Sequence, residues 1–206
     1  MCARFTLDVK MQQLKDTFSL SNSVEIIPTW NRAPGSLSPI VIKNRIGSAK
    51  WGFQPAWAKA GMSAPHNARI ETAATKPYFR NAWAKRHCLV PATGFYEWQK
   101  TATGKQPIYF DYQKQVFAFA GLWEKNANDE VTFTILTQSA SGPVAAVHPR
   151  MPVVLPPALY DDWLAGQLTS MDASTSFMQD IAARPVSRAV NNARNDNPEL
   201  LAENSK

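Results

Sequence analysis

The stretch Gln106 to Gln138, QPIYFDYQKQVFAFAGLWEKNANDEVTFTILTQ, decides the fold. It holds three runs rich in β-branched and aromatic residues: QPIYFDY (106–112), QVFAFAGLW (115–123) and VTFTILTQ (131–138). Bounded by polar segments, such runs read as strands, the first two joined by a short turn around Gln113 to Gln115. Working outward toward the N-terminus, HCLVP (87–91) is a further strand, and residues 70–86 read as mainly helical. AKWGFQP (49–55) is a short strand closed by proline, and SPIVIKNR (38–45) and VEIIP (24–28) are strands around the loop TWNRAPGS (29–36). Leu7, Met11, Leu14 and Phe18 recur at helical spacing, after ARFTL (3–7), which alternates like a strand. Outward the other way, a small helix near 140–147 precedes the strand MPVVLP (151–156). PPALYDDWLAG (156–166) makes a helix with proline at its start and glycine at its end. STSFMQDI (174–181) reads as a shorter helix and RPVSRAV (184–190) as extended chain. There are no repeats and no composition break. The expectation is one α+β domain over residues 1–194, a mostly antiparallel sheet or open β-barrel with flanking helices, followed by a frayed polar tail, 195–206.

Composition agrees with a globular protein: 206 residues, 45% hydrophobic and 18% charged, so disorder is excluded. The longest apolar run, VFAFAGLW, is far short of a membrane span, and Arg4, Asp8 and Lys10 interrupt any signal core. The chain is therefore expected to stay where it is made, in the cytoplasm if bacterial. Cys2 and Cys88 form no CxxC pair, and His66, His87 and His148 are scattered, so neither a disulfide framework nor a metal site is implied, and no cofactor is called for. The net charge of +6 suits a polyanion. Between residues 67 and 105, Arg69, Lys76, Arg80, Lys85, Arg86, Lys100 and Lys105 are interleaved with Tyr78, Phe79, Trp83, Phe95, Tyr96 and Trp98. That mixture supplies phosphate contacts and stacking platforms for unpaired bases, or else a core beneath a solvated face.

Four segments carry reactive or charged groups. MCARF places a cysteine directly after the initiator methionine. Aminopeptidases remove methionine before a small residue, and the mature chain would then begin at Cys2 with an α-amine and a thiol on one residue. Their ordinary pKa values, about 7.7–8.0 and about 8.5, leave a useful fraction of each nucleophilic near neutrality. HNARIET sets Asn67 and Arg69 at the start of a helical segment. LVPATGFYEWQK delivers Glu97 between Tyr96 and Trp98, just after a flexible Gly94, where desolvation would raise its pKa. VHPRMPVVLP offers His148 and Arg150 immediately before a strand, and Arg4 alternates onto the face of Cys2. Taken singly, each also fits a plain structural role: Glu97 a surface carboxylate, His148 a loop residue, Asn67 a helix cap. Spacing alone does not bring them together.

The motifs MCARF, NRAP, WGFQPAWA, NARIET, CLVPATGFYEW, HPRMPVVL and PVSRAVNN run in order from residue 1 to about 192. In that combination the chain resembles the SOS-response-associated peptidase (SRAP) family, whose members crosslink to abasic sites in single-stranded DNA. Two departures are Ala3, where the family commonly has glycine, and the APGS loop (33–36), where a Thr-Gln version is usual. The resemblance implies a thiazolidine formed by Cys2 with the ring-opened sugar, with Met1 removed by the same machinery and a weak abasic-site lyase activity through the imine. It further implies that Asn67 holds the terminal cysteine, that Glu97 manages the protons of amine and thiol, and that His148 is the acid–base partner toward the sugar. Arg4, Arg69 and Arg150 would bind flanking phosphates, Trp51 would stack on a neighbouring base, and Met151 would line the DNA path. The implied partner is abasic single-stranded DNA, bound by a monomer without metal or membrane. Two other classes stay open: an N-terminal-nucleophile glutaminase, separated by ammonia release from glutamine, and a non-covalent single-strand reader, separated by denaturing electrophoresis.

Overall fold

The computed structural model describes residues 2–59, 61–113, 115–168 and 177–202. In chain order its elements are β1 (Phe5–Leu7), α1 (Met11–Phe18), β2 (Thr29–Arg32), β3 (Leu37–Ile42), β4 (Arg45–Trp51) and β5 (Asn67–Arg69). Then come α2 (Ile70–Ala73), α3 (Arg80–Lys85), β6 (His87–Ala92), β7 (Gly94–Thr101), β8 (Gly104–Asp111), β9 (Phe117–Lys125) and β10 (Val131–Ser139). Last are α4 (Gly142–Ala145), β11 (Arg150–Pro152), β12 (Val154–Leu155), α5 (Tyr160–Ala165) and β13 (Ala182–Pro185). The three runs that open the sequence reading are β8, β9 and β10.

Strand β10 closes a ring. It pairs with β9 and with β4, and β4–β3, β3–β6 and β6–β9 complete a five-stranded barrel, closed where the sequence left it open. Only the β4–β10 pairing in that ring is parallel. Beyond the ring, β5 pairs with Ile135–Thr137 of β10 and β11 with Thr137–Ser139, so two short strands flank its C-terminal end. A second, antiparallel sheet has the order β13-β8-β7-β1-β2. One aromatic cluster, including Phe5, Trp51, Phe95, Phe119 and Phe133, joins this sheet to the barrel. A second cluster packs Leu14 and Phe18 of α1 and Tyr160 and Trp163 of α5 against Leu89 and its neighbours. The fold is a single α+β domain, as the residue pattern implies.

Gly94 is a packing glycine rather than a flexible one. It lies in β7 opposite Asp111, and a Cβ there would sit 2.2 Å from the Tyr109 hydroxyl. Gly166 does end α5 in the left-handed conformation, at φ 70°.

Several elements differ from expectation. VEIIP is not a strand, and Ile27 is 72% exposed. TWNR is β2, because β1 supplies its pairing partner. Asn67 begins a strand rather than a helix, and residues 70–86 break into α2 and α3. MPVVLP divides around Val153, whose N–H donates to Leu136 and whose carbonyl accepts from Ala120. The expected helix at 174–181 starts outside the described residues, and Met178–Asp180 is a 3-10 turn. The tail docks as far as residue 202: Asp196 accepts from Thr29 Oγ1 (2.8 Å) and Asn31 N (3.0 Å), and Leu200 is buried. Among the described residues no helix is long and apolar enough to cross a membrane.

Candidate functional site

The candidate residues gather where the barrel meets the second sheet. Cys2 precedes the regular part of β1 and is fully buried within the aromatic cluster, its Sγ 3.8 Å from the Arg4 carbonyl. Burial, and then the nearby Glu97 carboxylate, push its thiol well above the ordinary cysteine range. Glu97 is 2% exposed and lies two residues after Phe95 on β7, so strand alternation puts it on the face that Phe95 presents to the same cluster. Tyr96 and Trp98, its neighbours in sequence, belong to a cluster on the other face. The desolvation expected of Glu97 is therefore present, but it comes from the core beneath and not from the flanking aromatics. Burial raises its pKa, opposed first by the N-terminal amine and then by His148.

Asn67 and His148 approach from the strands that flank the end of β10. Asn67 sits opposite Ile135 on β5 and donates through Nδ2 to the His66 carbonyl at 3.0 Å. Its Oδ1 is buried without a hydrogen-bond partner among the described residues. His148 follows α4, and its Nδ1 lies within hydrogen-bond reach of both the Arg150 carbonyl (2.9 Å) and the Arg150 backbone N–H (3.0 Å). The Arg150 guanidinium is committed: Nη1 and Nη2 grip Glu71 at 2.5 and 2.9 Å, and Nη2 also reaches the Thr137 carbonyl at 2.6 Å. That bond holds the Glu71 carboxyl below its ordinary range. Arg69, by contrast, is exposed on the same rim.

Two expected DNA contacts are not open to DNA. Trp51 is fully buried, stacked near Phe133, with its indole N–H donating to His66 at 2.8 Å, so it has no free face for a base. Met151 is fully buried too, its sulfur 3.4 Å from the Ser141 backbone N–H. Nor does Arg4 share the surroundings of Cys2: its Nη1 lies 3.4 Å from both Asn31 Oδ1 and the Val190 carbonyl. Phe95 and Tyr96 of the basic–aromatic stretch are core, as the plainer reading of that stretch held. Trp98 is half-buried and was legible only as part of that mixture. With Arg4, Pro34 and Lys105 it lines a hollow beside Ala3, and its Nε1 donates to Asn191 Oδ1 at 2.7 Å.

Among the described residues no group of histidine, cysteine and carboxylate side chains is placed to hold a metal. The arrangement can instead do acid–base chemistry at a buried sulfur. Comparison with known proteins bears on its lineage. The chain is 35% identical to "Abasic site processing protein YoaM" of Bacillus subtilis, covering 99% of each, and 34% identical to "Abasic site processing protein YoqW" of the same organism, covering 98% of this chain and 99% of the relative. A crystal structure of a Bacteroides thetaiotaomicron protein shares the fold at a TM-score of 0.83 and 21% identity, over 98% of this chain and 99% of that one. The model of the SOS response associated peptidase (SRAP) family matches residues 1–193, and the chain belongs to that family.

Proposed function

We propose that the protein processes abasic sites in single-stranded DNA by joining them covalently to Cys2. The observation that carries this reading is the pairing of a fully buried Cys2 with a buried Glu97 at the edge of the barrel. The Asn67 Oδ1, without a partner among the described residues, supports it, being a ready acceptor for an amine. The relatives named as abasic site processing proteins supply the substrate class.

The chemistry runs in three balanced steps. Hydrolysis of the Met1–Cys2 amide consumes one water and frees the α-amine. That amine adds to the C1 aldehyde of the opened sugar, and loss of one water gives an imine. The Cys2 sulfur then adds to the imine carbon while its proton passes to nitrogen, closing a thiazolidine. Burial favours this order, because it keeps the thiol neutral until the amine has captured the aldehyde. Glu97 relays protons among amine, carbinolamine and thiol, and His148 serves the sugar oxygen. β-Elimination from the imine gives a weak lyase activity when ring closure is delayed.

Intact mass after mixing with an abasic single strand tests the reading. The expected product is the chain lacking Met1, plus the strand, minus one water. A stable adduct on a chain retaining Met1, or no adduct at all, overturns it.

A further inference from the structure

We propose that Trp51 is a positioning residue: its indole N–H holds the His66 carbonyl, which in turn orients the Asn67 amide and leaves Oδ1 to accept from the Cys2 amine. This rests on the abasic-site reading above and adds to it a residue that works one step back from the reacting atoms.

Three donors meet on one backbone oxygen. The His66 carbonyl accepts from Trp51 Nε1 at 2.8 Å, from Asn67 Nδ2 at 3.0 Å and from the Ile135 N–H at 3.1 Å. A carbonyl oxygen has two lone pairs, so the third donor is not needed to satisfy it. Nor does packing call for an indole here. Trp51 is fully buried between Phe5 and Phe133, at 5.1 and 6.2 Å between ring centroids, where a phenylalanine would bring no buried N–H to satisfy. The indole also has a fixed base. Trp51 ends β4, its backbone N–H donates to the Ser36 carbonyl at 2.9 Å, and its own carbonyl accepts from the Gly35 N–H at 2.7 Å.

What Trp51 holds decides which way Asn67 faces. The last torsion of an asparagine side chain is broad and roughly two-fold, so the amide nitrogen and oxygen exchange places unless a partner tells them apart. A carbonyl accepts and never donates, so the His66 oxygen selects Nδ2. Oδ1 is then on the other branch of the amide, buried and without a partner among the described residues. The pairing of Asn67 with Ile135 sets the strand backbone. The indole N–H adds a second hold on the carbonyl, so that it does not tilt out of reach of Nδ2. Such support is worth rate, because a misplacement of about 1 Å at a reacting group can cost about 10²-fold.

The test removes the N–H and keeps the ring. Replacing Trp51 by 3-benzothienylalanine exchanges Nε1 for sulfur in a ring of nearly the same shape, and Trp51→Phe removes the same donor with a smaller ring. Single-turnover crosslinking to saturating abasic single strand is measured for each, in the wild-type chain and in Asn67→Ala. The sulfur analogue is expected to slow adduct formation by about 10- to 100-fold in the wild-type chain. In Asn67→Ala it should cost less than about 2-fold, because Trp51 acts through the amide already removed. Trp51→Phe should show the same dependence on Asn67, with a further loss from the smaller ring that is common to both backgrounds. If the analogue crosslinks as fast as tryptophan, or slows both backgrounds equally, Trp51 only packs and the proposal is wrong while the abasic-site reading stands. If the wild-type chain forms no adduct, both fall.

Discussion

Two polar clusters are buried in this molecule, and they are built in opposite ways. In the five-stranded sheet, Thr6 Oγ1 meets Thr93 Oγ1 at 2.8 Å and the Tyr109 hydroxyl at 2.9 Å, and Thr93 in turn donates to Asp8. Beside it, Asn31 Nδ2 lies within 3.1 Å of three carbonyls, those of Val190, Asn192 and Asn195. Every side chain in that cluster has a partner, and together they tie the C-terminal segment to β2. Around Cys2 the pattern reverses. A thiol is forced neutral, a carboxyl is pushed up by burial, and an amide oxygen is left without a partner among the described residues. Satisfied buried networks rigidify a fold, whereas unsatisfied ones cost stability and survive where chemistry needs them.

The largest expected effect falls on the reactive cluster. Cys2→Ala keeps an amine able to form only a reversible imine, so the heat-stable adduct should vanish and a trapped product should appear only with a reductant. A stable adduct from this variant without reductant would remove the sulfur from the mechanism.

Glu97→Gln comes next and should separate activity from stability. General acid–base catalysis is typically worth about 10²–10⁴ in rate, and the single-turnover crosslinking rate should fall by a factor of that order. Stability should move the other way. Burial raises the folded-state pKa of Glu97 above its ordinary 4.5, so the folded chain holds this proton more tightly than the unfolded one. The contribution is complete below that ordinary value and is lost as pH rises through the raised one. The melting temperature of Glu97→Gln should therefore gain on wild type as pH rises above about pH 4. A constant difference across that range would mean that Glu97 is not desolvated as described.

How far such a contrast was legible beforehand depends on the residue. The strands β8, β9 and β10 could be read directly because their apolar runs are buried on both faces, and α1 because Leu14 and Phe18 share one face. The strand β2 could not, since Thr-Trp-Asn-Arg has no apolar pattern and is ordered by pairing with β1. VEIIP has the right composition for a strand, but among the described residues no strand pairs with it. Cys2, Glu97, Asn67 and His148 were picked out from their chemistry, but their convergence and roles were expected only from the family resemblance. Periodicity gives no hint that β5 and β11 flank the same end of β10. Burial is the property least visible in sequence: Trp51 and Trp57 stand six residues apart in one motif, one sealed and one half-exposed.

The smallest expected effect, and the sharpest form of the contrast, compares two asparagines. Asn31→Ala removes a side chain that bonds three carbonyls and so strands buried acceptors. At about 1–3 kcal/mol for a buried polar group left unpaired, it should lower stability by at least that amount. Asn67→Ala removes one bond, to the His66 carbonyl, worth about 1 kcal/mol. It also removes a buried oxygen that has no partner among the described residues, and that relief is of similar size. The two terms nearly cancel, so chemical denaturation should find Asn67→Ala within about 1 kcal/mol of wild type. Its crosslinking yield should nevertheless drop at every pH, because the terminal cysteine loses its acceptor while Glu97 and His148 are left in place. If Asn67→Ala instead proves as destabilising as Asn31→Ala, then Asn67 belongs with the satisfied cluster and the division between scaffold and site runs elsewhere. If it is stable and crosslinks normally, the unpaired oxygen serves neither purpose, and the amine is held by some other group.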